Sequence, residues 1–191
     1  MGLDMYLNKV RKLRDGVTLR QLRNVDEYFG FKGRGEKYKK RSMKEWCGID
    51  YKDVDLELTK VYKPEYIHRY SSWDMERKYG FKTIFQNIAY WRKANQIHKW
   101  FVENVQGGTD DCNMYEVEKE QLEDLLSTCK FVKDNPKLAN KLLPTQCGFF
   151  FGSTEYDEYY MEDIDHTIEA LEKVLKETDF DNWVVLYVSS W

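Results

Sequence analysis

Tyr90-Trp91-Arg92-Lys93-Ala94-Asn95-Gln96-Ile97-His98-Lys99-Trp100-Phe101 is the stretch on which the reading of this chain turns. At about 100° per residue, Ile84, Ile88, Trp91, Val102 and Val105 fall on one face with Ala94 and Phe101 beside them. The spacing therefore predicts one amphipathic helix from about Ile84 to Val105. His98 then projects into the centre of the apolar arc and Asn95 lies near its edge. Arg92 and Lys99 stand where the arc turns polar. A polar group aimed into a buried face costs roughly 1–3 kcal/mol unless something satisfies it. Either the fold supplies partners for these side chains, or they line a pocket. Trp100 points away from the apolar centre, and an exposed indole marks an interface or a stacking surface.

Outward from this helix, Gly107-Gly108 supplies a glycine stop, and Asn113 with Glu116 reads as a capping box opening the next helix. Gly148 to Phe151 and Tyr156 to Tyr160 read as a β-hairpin turning at Gly152-Ser153-Thr154. Asp163 opens a final helix with Ile164, Ile168, Leu171 and Leu175 on its buried face, and Trp183 to Val188 is a strand. Toward the amino terminus, Leu56 to Val61 suggests short strands, and residues 17–30 are helical through Leu19, Leu22, Val25 and Phe29. Leu3, Met5 and Leu7 alternate with Asp4, Tyr6 and Asn8 as a half-buried strand. The fold class expected is α+β. A mostly antiparallel sheet holds both terminal strands and a hairpin near 148–160, packed with about four helices.

A length of 191 residues suits a single domain over 1–191. The run Lys32-Gly33-Arg34-Gly35-Glu36-Lys37-Tyr38-Lys39-Lys40-Arg41, continuing to Lys44, reads as a basic loop excursion around 31–45. It lacks the Gly-Lys-Ser/Thr ending of a Walker loop. No run of eighteen apolar residues is present, so no membrane span is expected. The start MGLDMYL lacks the form of a signal peptide. Four cysteines (Cys47, Cys112, Cys129, Cys147) and three histidines (His68, His98, His166) are scattered without metal-ligand spacing. Neither a metal nor a cofactor is expected, and a reducing cytoplasm is the simplest location. The net charge of −3 conceals an asymmetry: residues 1–100 carry 23 Lys+Arg against 13 Asp+Glu, and residues 101–191 carry 7 against 20. One surface meeting an anionic partner would explain such a split, as would halves that face each other. The overall pI of 5.7 argues against nucleic acid.

Two constellations could carry chemistry. The first is Arg92, Asn95, His98 and Lys99, with Trp91 or a tyrosine available to stack on a base. The second is the acidic segment Glu155-Tyr156-Asp157-Glu158-Tyr159-Tyr160, where Tyr156 and Asp157 join the candidate ligand set. A local acidic run also serves as a solvated edge, just as a His or Asn on an apolar face is commonly a paired structural group. Cys112 with His98 carries no local signature of a nucleophile pair.

Met1-Gly2-Leu3-Asp4-Met5-Tyr6-Leu7, the Tyr90-Trp91-Arg92-Lys93-Ala94-Asn95 segment with His98 and Trp100, and Gly148-Phe149-Phe150-Phe151-Gly152-Ser153-Thr154 together resemble a family of small, uncharacterised phage and prophage proteins. The likeness runs through most of the chain as separated islands and leaves out the basic stretch from Lys32 to Lys44. It implies a viral origin and an accessory role in the host cytoplasm, and it transfers no reaction. The function expected is binding of a small anionic ligand, a nucleotide or nucleotide-derived signal, with sequestration of a host defence messenger as one use. Arg92 and Lys99 would neutralise phosphate, while Asn95 and His98 would read polar edges. One alternative is a hydrolase or nuclease, with His98 as general base and Glu155 or Asp157 holding a cation or water. Another is an inhibitor of a host protein, working through Trp100 and the basic loop. Self-association is open.

Overall fold

The computed structural model describes residues 2–30, 44, 45, 48–70 and 78–191. The basic excursion around 31–45 falls almost wholly outside the described residues. The chain groups into two compact units, one of residues 1–9 with 87–191 and one of residues 10–86.

The first unit is built on a four-stranded antiparallel sheet in the order β4-β1-β6-β5. The strands are β1 (Asp4–Arg11), β4 (Gln86–Arg92), β5 (Tyr115–Val117) and β6 (Trp183–Ser190). Both terminal strands lie in this sheet, side by side at its centre. β5 pairs with β6 antiparallel, Tyr115 opposite Tyr187 and Val117 opposite Val185. The alternation read in Leu3, Met5 and Leu7 holds, since all three are fully buried. Four α-helices complete the unit: α2 (Asn95–Asn104), α3 (Lys119–Asp134), α4 (Ala139–Leu142) and α5 (Glu158–Glu177), with α3 packed along α5.

The helix expected from Ile84 to Val105 is corrected. Gln86–Arg92 is strand β4, with Ala89 and Trp91 buried and Tyr90 and Arg92 exposed. This alternation of period two overrides the looser helical spacing because the segment pairs with β1 and has one face against the core. Lys93, at φ 62°, reverses the chain, and its N–H donates to the Leu3 carbonyl at 2.8 Å. Helix α2 begins only at Asn95. It is enclosed nearly all round, with Asn95, Gln96, Ile97, His98, Trp100, Phe101 and Val102 buried. Trp100 is thus a core residue, 7% exposed and edge-on to Phe101, and not the exposed indole expected.

Other boundaries move for similar reasons. Tyr115–Val117 is strand β5, so α3 starts after Glu118, whose N–H donates to Gln121 Oε1 at 2.9 Å. Leu56–Lys60 is a 3₁₀ turn and not a strand, entered through Asp55, whose carboxylate accepts the Glu57 N–H. The hairpin near 148–160 is absent: residues 148–157 run without regular structure and Glu158 begins α5. Asp157 decides this, because its carboxylate caps the helix by accepting the Tyr160 N–H at 3.1 Å. Gly152 does turn the chain, at φ 92°, and a Cβ there would come within 3.1 Å of Lys93 Cβ.

The second unit pairs β2 (Glu65–Tyr70) antiparallel with β3 (Lys78–Thr83), with helix α1 (Leu19–Gly30) packed on β3. Val10, Leu22, Val25, Tyr62, Ile84 and Phe85 are buried apolar groups among its described residues. Thr18 and Gln21 bond reciprocally at the start of α1. Half-buried Asp26 accepts from the Ile84 N–H at 2.6 Å and from the Thr83 hydroxyl at 2.8 Å. No helix among the described residues is long and apolar enough to cross a membrane.

Burial pushes the Asp26 carboxyl up from 3.8 to about 6, more than its hydrogen bonds pull it down. Its folded pKa lies above the unfolded value, so the stability it contributes is complete below pH 3.8 and is lost as pH rises through about 6. Urea titrations from pH 4 to 7 should show Asp26→Asn losing less stability than the wild type, by about 2 kcal/mol. Parallel profiles for the two proteins would remove Asp26 as the cause.

Candidate functional site

Three buried polar residues of α2 each reach a different part of the first unit. The Asn95 amide donates to the carbonyls of Phe151 (3.1 Å) and Ser153 (2.7 Å) and accepts the Gln146 N–H (2.9 Å). Gln96 donates to Asp163 Oδ2 on α5 at 3.2 Å. His98, fully buried, bonds through Nδ1 to the Tyr187 hydroxyl at 2.7 Å and through Nε2 to Asp110 Oδ2 at 2.9 Å. Since a carboxylate only accepts, Nε2 donates to Asp110, and the Tyr187 hydroxyl is the partner of Nδ1. Burial holds Tyr187 well above the ordinary phenol range, which keeps it an O–H donor. Asp110 Oδ1 also accepts the Trp191 indole N–H at 3.1 Å.

Beside the amino end of α2 lies a cleft of about 320 Å³. One wall is the β4–α2 junction, with Arg92, Lys93, Asn95 and Gln96. The other is the loop and first turns of α5, with Ser153, Glu155, Asp157, Tyr159, Glu162 and Asp163. Asn95 builds this space by tying the loop backbone to the helix start. Lys93 is held in the left-handed region, which favours Gly, Asn or Asp over lysine and costs on the order of 1–2 kcal/mol. That cost is retained beside a charged cleft. The Asp163 carboxyl is pushed up by burial, with Glu162 and Asp157 adding to the effect and the Gln96 bond opposing it.

Of the seven residues expected from the sequence, the cleft gathers Arg92, Asn95 and Asp157. The Arg92 side chain is 57% exposed and 3.7 Å from Asp4. Trp91 is excluded from ligand stacking, being 1% exposed with its indole N–H bonded to Thr167 Oγ1 at 2.9 Å. His98 faces the Asp110–Tyr187 pair and the edge of Phe151. Lys99 is 3.9 Å from Glu103, one turn on along α2. Tyr156 is half-exposed, and its hydroxyl accepts the Thr145 N–H at 3.2 Å. None of these four is among the residues lining the cleft.

Sequence reading passed over Lys93, Gln96, Ser153 and Asp163, whereas Tyr159 already stood in the acidic segment. The adjacent Arg92-Lys93 pair was a visible signal, but an assumed continuous helix sent the two side chains to different faces. Among the described residues, no three of His, Cys, Asp and Glu are placed to hold a metal ion.

The His98 chain is a structural device, so its loss should register as stability. Tyr187→Phe keeps the stack on Phe101, whose ring centroid is 4.0 Å away, but strips His98 Nδ1 of its partner. Chemical denaturation should show a loss of about 1–3 kcal/mol for it, and a comparable loss for Asp110→Ala. Lys99→Ala should stay within about 0.5 kcal/mol of the wild type. Comparison with family models, curated proteins and solved structures finds no match to this chain.

Proposed function

We propose that the first unit is a small-ligand-binding module, and that its ligand is a nucleotide-like molecule with one compact anionic group and an edge rich in N–H donors. The observation that carries this reading is the polarised cleft of about 320 Å³, with Arg92 and Lys93 on one wall and Glu155, Asp157, Glu162 and Asp163 on the other. The volume sits at the lower end of the range for small-molecule sites. The cations suit a monophosphate or carboxylate through charge-assisted bonds. The carboxylates suit the donor edge of a base, and a donor there would offset the burial penalty on Asp163. Tyr159, 66% exposed, offers a ring to a planar ligand in place of Trp91.

Four carboxylates against two cations also set a limit. At an effective dielectric near 20, a phosphate about 6 Å from a carboxylate is opposed by roughly 3 kcal/mol. A polyphosphate is therefore disfavoured, and a ligand with a single compact anionic group is favoured. In the phage setting that the sequence resemblance implies, holding such a molecule unchanged would be sequestration of a host signal. The hydrolytic alternative needed His98 beside Glu155 or Asp157, and His98 is instead engaged with Asp110 and Tyr187.

A second reading, contact with a host protein, rests on Phe149. It is 94% exposed on the loop, edge-on to Phe150, and takes the place expected for Trp100.

Native mass spectrometry of the purified protein, then calorimetric titration with the four common nucleoside monophosphates, tests the cleft. Arg92→Ala should weaken binding about tenfold or more. Lys93→Gly relieves the left-handed strain, so it should leave stability unchanged or raise it by about 1 kcal/mol while weakening binding similarly. Phe149→Ser should change neither. Binding untouched by both cleft variants, or no binding of any of the four, would count against the reading.

A further inference from the structure

The sequence-wide acidity that argues against nucleic acid is an average over two dissimilar units. Residues 10–86 carry 19 Lys+Arg against 12 Asp+Glu, a net of +7, while residues 1–9 with 87–191 carry 11 against 21, a net of −10. Within the second unit the described cations concentrate at one place. From Arg11 to Arg23 the chain holds five basic residues against the single acid Asp15.

Lys12, Arg14, Arg20 and Arg23 are all exposed. Among the described residues none of the four forms an ion pair, although seven other lysine or arginine side chains do. Their backbone is held firmly. The Arg14 N–H donates to the Tyr62 hydroxyl at 2.8 Å, and the same hydroxyl donates to the Lys12 carbonyl at 3.4 Å. The Thr18–Gln21 capping pair fixes the start of α1, which presents Arg20 and Arg23 one turn apart.

We propose that this surface, made of Lys12, Arg14 and the first turns of α1 with Arg20 and Arg23, binds the phosphodiester backbone of duplex nucleic acid without reading sequence. Exposed cations outside any ion pair, three of the four guanidinium and close in sequence, suit a line of phosphates, each neutralised with release of a counterion. What the surface lacks narrows the partner. Along residues 11–23 the chain has no aromatic side chain, and Leu13, Val17, Leu19 and Leu22 are buried or partly buried. That stretch offers no exposed apolar wedge for a lipid surface and no ring for stacking on unpaired bases, which favours a duplex over a membrane or a single strand. The surface acts independently of the cleft and of its ligand.

Fluorescence anisotropy of a labelled DNA duplex of about 20 base pairs, titrated with the full chain between about 50 and 200 mM salt, tests this. The wild type should bind with a linear dependence of log K on log salt. Arg14→Gln, Arg20→Gln and Arg23→Gln combined should lower the magnitude of the slope by about 2.7, or roughly 0.9 for each phosphate that is no longer neutralised. The corresponding Arg→Lys triple, which keeps the charges, should retain the slope. A control triple in the first unit, Lys137→Gln, Lys141→Gln and Lys176→Gln, makes the same change in net charge and should also retain it. A second duplex of unrelated sequence should bind equally well. Absence of duplex binding, equal loss in both glutamine triples, or binding only to anionic phosphatidylserine vesicles would overturn the proposal.

Discussion

Helix α2 lies almost wholly out of water while carrying Asn95, Gln96 and His98, and that constraint organises the first unit. Each unpaired polar side chain there would cost on the order of 1–3 kcal/mol, a sizeable part of the stability of a domain this size. Each therefore meets a partner on a different element. Asn95 binds the 146–153 loop, Gln96 binds α5 through Asp163, and His98 binds β6 through Tyr187 and the loop after α2 through Asp110. Apolar packing would hold the same elements together without choosing their register. The hydrogen bonds choose it, because a shift of an ångström or so would break several at once.

The cleft is a consequence of that arrangement. Two left-handed positions, Lys93 and Gly152, face each other where β4 ends and the loop turns back. Glycine meets this geometry without strain and lysine does not, so a cost is kept on the side of the cleft that carries positive charge. Asp163 stands in a similar position across the cleft, a carboxyl partly removed from water with only one side-chain donor shown to it. Strain at a cation and desolvation at an acid thus meet at the same cavity.

The sequence resolved elements whose buried face lies within the element itself. β1, β6, α1 and the apolar stripe of α5 were all legible, since period two or period 3.6 is imposed by a single neighbouring layer. The same reasoning misread Ile84 to Val105, where apolar residues of a strand and of a wholly buried helix happened to fit one helical wheel. It also misread Tyr156 to Tyr160, where alternation of acids and tyrosines resembled a strand until the Asp157 cap began α5. Trp100 failed for a related reason: a wheel assumes one dry side, and α2 has no wet one beyond Lys99, Glu103 and Asn104.

Composition, the terminal strands and the α+β class follow from the sequence by itself, because each depends on local periodicity or on simple counting. So does the separation of charge along the chain. Only the tertiary structure decided which residues share a cavity. Asn95 with Arg92 was legible at the edge of an apolar face and Asp157 in an acidic run, but Lys93 and Asp163 became members of the site through a backbone reversal and a contact 67 residues away. His98 was legible as an anomaly, while its partners Asp110 and Tyr187 come from a loop and the last strand. The division into two units of opposite charge also belongs to the fold. Charges add along a sequence without regard to place, whereas fields act through space, and only folding decides which charges stand together.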